Sequence, residues 1–121
     1  MRVAVTSSGK DLNAPVDPRF GRAAYFIIVD PDTMAFEAIE NTQNMGLPQG
    51  AGVQAGKVIV ENGVDVVLTG NCGPKAFKVL ESAGVRVLTN ASGSVKDMIN
   101  QFKNGELGEY AKNPNVDGHW I

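Results

Sequence analysis

Residues 64–77 read Val-Asp-Val-Val-Leu-Thr-Gly-Asn-Cys-Gly-Pro-Lys-Ala-Phe. Within them, Asp65–Thr69 is a nearly continuous apolar run, the pattern of a strand buried on both faces. Pro74 suits the first turn of a helix, where its missing N–H costs no bond. Ala76, Phe77, Leu80 and Ala83 then share one helical face, and Gly84 closes it. Strand, glycine turn and helix together make the repeating unit of an α/β sheet. Downstream the unit recurs: Val85–Thr89 is a strand, and Ser94 with Asp97 resembles a capping box with Asp in the usual Glu position. Val95, Met98, Ile99 and Phe102 form the next apolar stripe, ended by Gly105. Upstream, Ala51, Ala55, Val58, Ile59 and Asn62 fall at helical spacing, with Gly63 as the stop.

Further toward the N-terminus the period changes. Arg2–Thr6 is a strand dominated by β-branched valines, followed by a polar loop from Ser7 to Arg22. Ala23–Asp30 is a second strand, Pro31-Asp32 a tight turn, and Met34–Glu40 alternates well enough for a third, edge strand. The last two should pair as an antiparallel hairpin. The resulting order, βββαβαβα, predicts a mixed five-stranded α/β sheet, order 3-2-1-4-5 with strand two antiparallel, and three helices. The tail from Glu106 to Ile121 has no clear periodicity.

Composition narrows the function. A chain of 121 residues, 43% hydrophobic and 20% charged, reads as one globular domain spanning 1–121. Eleven basic against 13 acidic residues give a net charge of −2, which excludes a broad electrostatic grip on nucleic acid or anionic membrane. Any anion site must be local. One cysteine, Cys72, excludes an internal disulfide and a Cys-only zinc site within one chain. The longest uncharged apolar run, Ala23–Val29, falls far short of the ~20 residues that span a bilayer. The start turns polar at Thr6-Ser7-Ser8, before a signal-peptide core can form, so a cytoplasmic protein is expected.

The predicted topology collects the unusual residues at one edge of the sheet. The exits of the three parallel strands read Thr6-Ser7-Ser8-Gly9-Lys10, Thr69-Gly70-Asn71-Cys72-Gly73 and Thr89-Asn90-Ala91-Ser92-Gly93-Ser94. Asp17-Pro18-Arg19-Phe20-Gly21-Arg22, feeding the antiparallel strand, lies at the same edge, as does the loop from Asn41 to Gly52. All three helix N-termini should face it, each offering unpaired N–H groups and partial positive charge. Arg19 and Arg22 add directional donors, and the ends of open α/β sheets are where ligands tend to bind. An anion is the expected occupant. Cys72, placed before a helix N-terminus, would have its thiolate favoured there, and it also reads as a small loop residue. Gly and Ser in such loops also serve ordinary turn chemistry, a single Arg also reads as a surface charge, and His119 also reads as an anchor or a loose end.

Other motifs fail. Gly50-Ala51-Gly52-Val53-Gln54-Ala55 matches a dinucleotide pattern, but a hairpin strand and a nine-residue loop precede it instead of a tight strand-to-helix turn. Gly56-Lys57 lacks the upstream glycine and the following Ser or Thr of a P-loop. The first strand offers Val3-Ala4-Val5, with no acid for a metal-dependent nuclease.

Asp17-Pro18-Arg19-Phe20-Gly21-Arg22-Ala23 leading into Tyr25-Phe26, then Gly50-Ala51-Gly52, Gly70-Asn71-Cys72-Gly73-Pro74-Lys75-Ala76 and Gly118-His119-Trp120 resemble the dinitrogenase iron–molybdenum cofactor biosynthesis family. That group includes nitrogenase accessory factors and the small molybdenum–copper orange protein of anaerobes. The resemblance covers nearly the whole chain. It implies a ribonuclease H-like sheet without nuclease activity, and a non-catalytic carrier that holds and hands over an anionic metal–sulfur cluster of Fe–S, Fe–Mo or Mo–Cu type. Ser8, Arg19, Phe20, Arg22, Gly50, Gly52, Asn71, Cys72 and Gly73 are the cofactor-binding candidates, with Cys72 and His119 as the candidate metal ligands. Cofactor-carrying members often have histidine directly before the Phe-Gly pair. Arg19 stands there in this chain, which leaves the grip largely to charge and hydrogen bonds. The implied partners are the cluster and a metalloprotein or cluster-assembly protein, without nucleic acid or membrane, the chain being a monomer or weak homodimer. The competing readings are a sensor or scaffold that binds a small anion or nucleotide at the same edge, and a small enzyme with Cys72 as nucleophile.

Overall fold

The strands form on the β-branched and aromatic runs. In a computed structural model, which describes residues 1–116, they are β1 (Val3–Ser7), β2 (Tyr25–Val29), β3 (Phe36–Glu40), β4 (Val66–Leu68) and β5 (Arg86–Leu88). Four helices join them: α1 (Thr42–Met45), α2 (Ala51–Glu61), α3 (Pro74–Ser82) and α4 (Val95–Lys103). The sheet order is β3-β2-β1-β4-β5. β2 runs antiparallel to both of its neighbours, whereas β1, β4 and β5 are parallel. The expected mixed sheet is therefore the one observed.

Alternation along the strands sorts the core into two layers. Ala4, Phe26, Ile28, Val67 and Val87 face α2 and α3 and pack with Ala55, Ile59, Phe77 and Leu80. Val3, Val5, Ile27, Val29, Val66, Leu68 and Leu88 face α4 and pack with Val95, Met98 and Ile99. β1 and β4 are buried along their whole length, which is why they read as continuous apolar runs. No helix among the described residues is long and apolar enough to cross a membrane.

Each strand is trimmed or shifted by one or two residues at an end, β2 opening at Tyr25 rather than Ala23, and two differences have a visible cause. β3 starts at Phe36 rather than Met34, because Met34 adopts a left-handed conformation (φ 64°) and its N–H closes a turn onto Asp30 O at 2.8 Å. α1 is an added single turn in the long loop after β3, too short to show a period.

Candidate functional site

The loop between β1 and β2 crosses the ends of the parallel strands and is fixed there bond by bond. Thr6 Oγ1 lies 2.7 Å from Asp17 O and 2.9 Å from Thr69 Oγ1, so two buried hydroxyls join β1, β4 and the loop. Asp17 Oδ1 accepts the Arg19 N–H at 2.9 Å, forming the turn that Asp-Pro sequences favour. The next residues pair with the β4–α3 loop. Asn71 N–H donates to Pro18 O at 2.7 Å, Phe20 N–H donates to Asn71 O at 3.1 Å, and Arg19 stands opposite Asn71 as a parallel bridge.

Two glycines permit this closeness. A Cβ on Gly70 would lie 2.7 Å from Pro18 Cα, and one on Gly21 would lie 2.8 Å from both Cα and N of Gly52. These contacts put the Arg19 segment, the head of α2 and the β4–α3 loop side by side. Among the described residues, the N–H groups of Gly52 and Val53 donate to no partner, and they carry the positive end of the α2 dipole. The Arg19 side chain is 45% exposed, with Nε 3.5 Å from Asp17 Oδ1. The backbone of the segment that carries this charge therefore adjoins the helix head that carries the donors.

The other predicted residues divide by role. Gly50 caps α2 and Gly73 caps α3, both through the backbone alone. Asn71 holds the rim together through its main chain and through Nδ2, which donates to Pro18 O at 3.2 Å. Arg22 Nη1 donates to Met45 O at 2.6 Å, tying the α1 turn to the rim. Ser8 is exposed and its hydrogen bonds go to Pro15, which places it with the loop over α4 rather than with Arg19. Phe20, expected at the cofactor, is instead a core residue: it is 1% exposed and its ring stacks at 5.5 Å on Phe26. His119 lies outside the described residues.

The expectation for Cys72 is corrected. Its side chain is fully buried within the layer of Ala76, Phe77 and Leu80. Burial pushes the thiol up to about 12, overriding any pull from the α3 N-terminus. A neutral, enclosed thiol is not an activated nucleophile. To ligate a metal it would have to lose its proton and the loop would have to open.

The helix N-termini are corrected as well. The head of α4 is closed, because Val95 N–H donates to Ala14 O at 3.0 Å, Lys96 N–H to Leu12 O at 2.8 Å and Asp97 N–H to Ser94 Oγ at 3.1 Å. The available donors are thus concentrated nearer Arg19. Among the described residues no three His, Cys, Asp or Glu side chains cluster as a metal site. The donor set suits an anion held by charge and hydrogen bonds.

Sequence reasoning missed Asn41, Asn44 and Asn115. Buried Asn41 donates from Nδ2 to Ala23 O at 2.8 Å and Gly21 O at 3.3 Å, and its Oδ1 accepts from Asn44 Nδ2 at 2.8 Å. Asn115 bonds Cys72 N–H, Gly70 O and Asn71 Oδ1. The only signal for these was an asparagine in a loop, where its amide mimics a backbone group.

Comparison with known proteins agrees with this fold. The family described as dinitrogenase iron-molybdenum cofactor matches residues 1–105. An uncharacterized protein of Methanocaldococcus jannaschii is 32% identical over 101 residues, covering 81% of this chain and 85% of its own. The apo form of the orange protein from Desulfovibrio gigas superposes with a TM-score of 0.91 at 42% identity, over 95% of this chain and 96% of the other. A putative NifB protein from Thermotoga superposes with a TM-score of 0.77 at 40% identity, over 89% and 91% of the two chains.

Proposed function

Since this chain belongs to the dinitrogenase iron-molybdenum cofactor family, we propose that it is a small, non-catalytic protein that holds an anionic metal–sulfur cluster and passes it to a partner. One observation carries the reading. The pairing of Arg19 with Asn71, and the close approach of Gly21 to Gly52, bring the backbone of the Arg19 segment against the head of α2, where the N–H groups of Gly52 and Val53 have no partner among the described residues. Sulfide and oxo edges of such a cluster accept hydrogen bonds, and the guanidinium supplies a fixed positive fork. Gly50 leaves the head of α2 without a capping side chain, Gly52 lies buried against Gly21, and Asn71 and Gly73 belong to the neighbouring loop that leads into α3. Arg22 braces the loop behind.

In this reading Cys72 supports the loop from below as a neutral core thiol, and the cluster is gripped without a covalent ligand from the described residues. A cargo held by charge and hydrogen bonds leaves without breaking a metal–thiolate bond. That favours hand-over in the cytoplasm to a metalloprotein or cluster-assembly partner over permanent residence.

Purification without oxygen, followed by metal analysis and a visible spectrum, tests the proposal. A coloured protein, or a colourless one that takes up a synthetic copper–thiomolybdate cluster, is expected. A metal-free protein that refuses the cluster but binds a nucleotide or small organic anion would replace this reading with a sensor or scaffold.

A further inference from the structure

Beyond α4 the chain makes contacts that no periodicity announces. Glu106 N–H donates to Gln101 O at 2.9 Å, and the segment then passes β5, where Ala111 N–H donates to Val87 O at 2.7 Å. The Tyr110 ring meets the Arg86 guanidinium at 4.9 Å from its centroid. The segment next reaches the β4–α3 loop, where Asn115 applies its whole carboxamide. Oδ1 accepts from Cys72 N–H at 2.8 Å, while Nδ2 donates to Gly70 O at 3.1 Å and Asn71 Oδ1 at 3.2 Å. One side chain thus holds three consecutive residues.

We infer that Asn115 is a positioning residue of the candidate site, and that the segment 106–116 is a clamp on the loop facing Arg19. The inference rests on the cargo reading above and names what the C-terminal segment contributes to it. The loop has little of its own to fix it, because the α3 cap is Gly73 and offers no side-chain bond. On one side the loop is pinned by Pro18 and Phe20 through Asn71. On the other, the pin is Asn115. Removing that amide leaves Asn71 and Cys72 held by the Arg19 segment alone, with Gly70 still tied to Asn90, whose N–H donates to Gly70 O at 2.9 Å. Asn115 is itself an exposed residue, though its bonds to Cys72 N–H and Gly70 O are partly buried, so the clamp sits at the surface of the fold.

Cys72 supplies a built-in reporter, since the only thiol of the chain sits fully buried beneath this loop. The full-length protein is compared with Asn115→Ala in two experiments. Without cargo, iodoacetamide should alkylate Cys72 about tenfold faster in the variant while the melting temperature stays nearly unchanged, because only local opening has become easier. With copper–thiomolybdate loaded in the absence of oxygen, the variant should lose the cluster several-fold faster, and the visible band of what remains should shift. If Asn115→Ala does not fold, Asn115→Gln displaces the same groups by one methylene and should show the same changes on a smaller scale. Unchanged alkylation in a folded variant overturns the clamp. Unchanged retention and an unshifted band in a variant whose loop has opened overturn the positioning role. A wild type that refuses the cluster overturns the cargo reading instead, and the alkylation rates then decide the clamp by themselves.

Discussion

Gly70 and Cys72 show how closely the rim is built. An alanine methyl at Gly70 would meet Pro18 Cα at 2.7 Å and Pro18 O at 2.8 Å, both backbone atoms that cannot rotate away. Gly70→Ala should therefore destabilise the fold by about 1–3 kcal/mol in urea unfolding, the usual scale of overpacking. Gly46→Ala is the control, since nothing lies within 4 Å of the added methyl, and it should change stability little. For Cys72, burial raises the thiol from 9.0 to about 12, so the folded chain keeps a proton that the unfolded chain gives up. The stability it contributes is fully present below pH 9 and is lost as pH rises toward 12. Cys72→Ala should flatten that alkaline decline, as followed by melting temperature against pH. At pH 8 the native thiol should alkylate far more slowly than a free cysteine, because it is both protonated and enclosed. A rate near that of the free thiol would contradict the burial.

Elements with a regular period were legible, and those held by single long-range bonds were not. β4, α3 and α4 follow from the runs and stripes of residues 64–103, because two-faced burial and helical spacing leave a local mark. α1 leaves none: it is one turn, placed by the reach of Arg22 to Met45 O and by Asn41 beneath it. The path of the tail is invisible for the same reason, being set by Ala111 on β5 and Asn115 on the next loop. The candidate site was legible as a set of loops, since topology alone brings strand exits together. Which side chains face outward was not, and Phe20 and Cys72 turned inward because apolar groups at a loop base complete the core. The cap of α4 belongs to the legible part. Ser94 Oγ accepts the Asp97 N–H at 3.1 Å, and Ser94→Ala should cost about 1 kcal/mol in urea unfolding with an unchanged m-value. No loss would mean that the loop bonds from Leu12 and Ala14 suffice to cap the helix.

Across the molecule, a net charge of −2 disfavours an anionic cargo at long range. Under the proposed function, retention would have to arise at contact distance, from the Arg19 guanidinium and nearby backbone donors. The mixed sheet supplies that contact by ending β1 and β4 where the antiparallel β2 begins, and the two close glycine packings lock the ends together. Binding by charge and hydrogen bonds should weaken as salt rises, whereas a thiolate–metal bond would resist it. The most direct measurement is an oxygen-free titration of copper–thiomolybdate into wild type, Arg19→Ala and Cys72→Ala, followed by the visible absorption that survives gel filtration. The expected result is retention by wild type and Cys72→Ala with similar bands, and at least a several-fold loss in Arg19→Ala. Retention by Arg19→Ala together with loss of the band in Cys72→Ala would contradict it and make the buried thiol the true ligand.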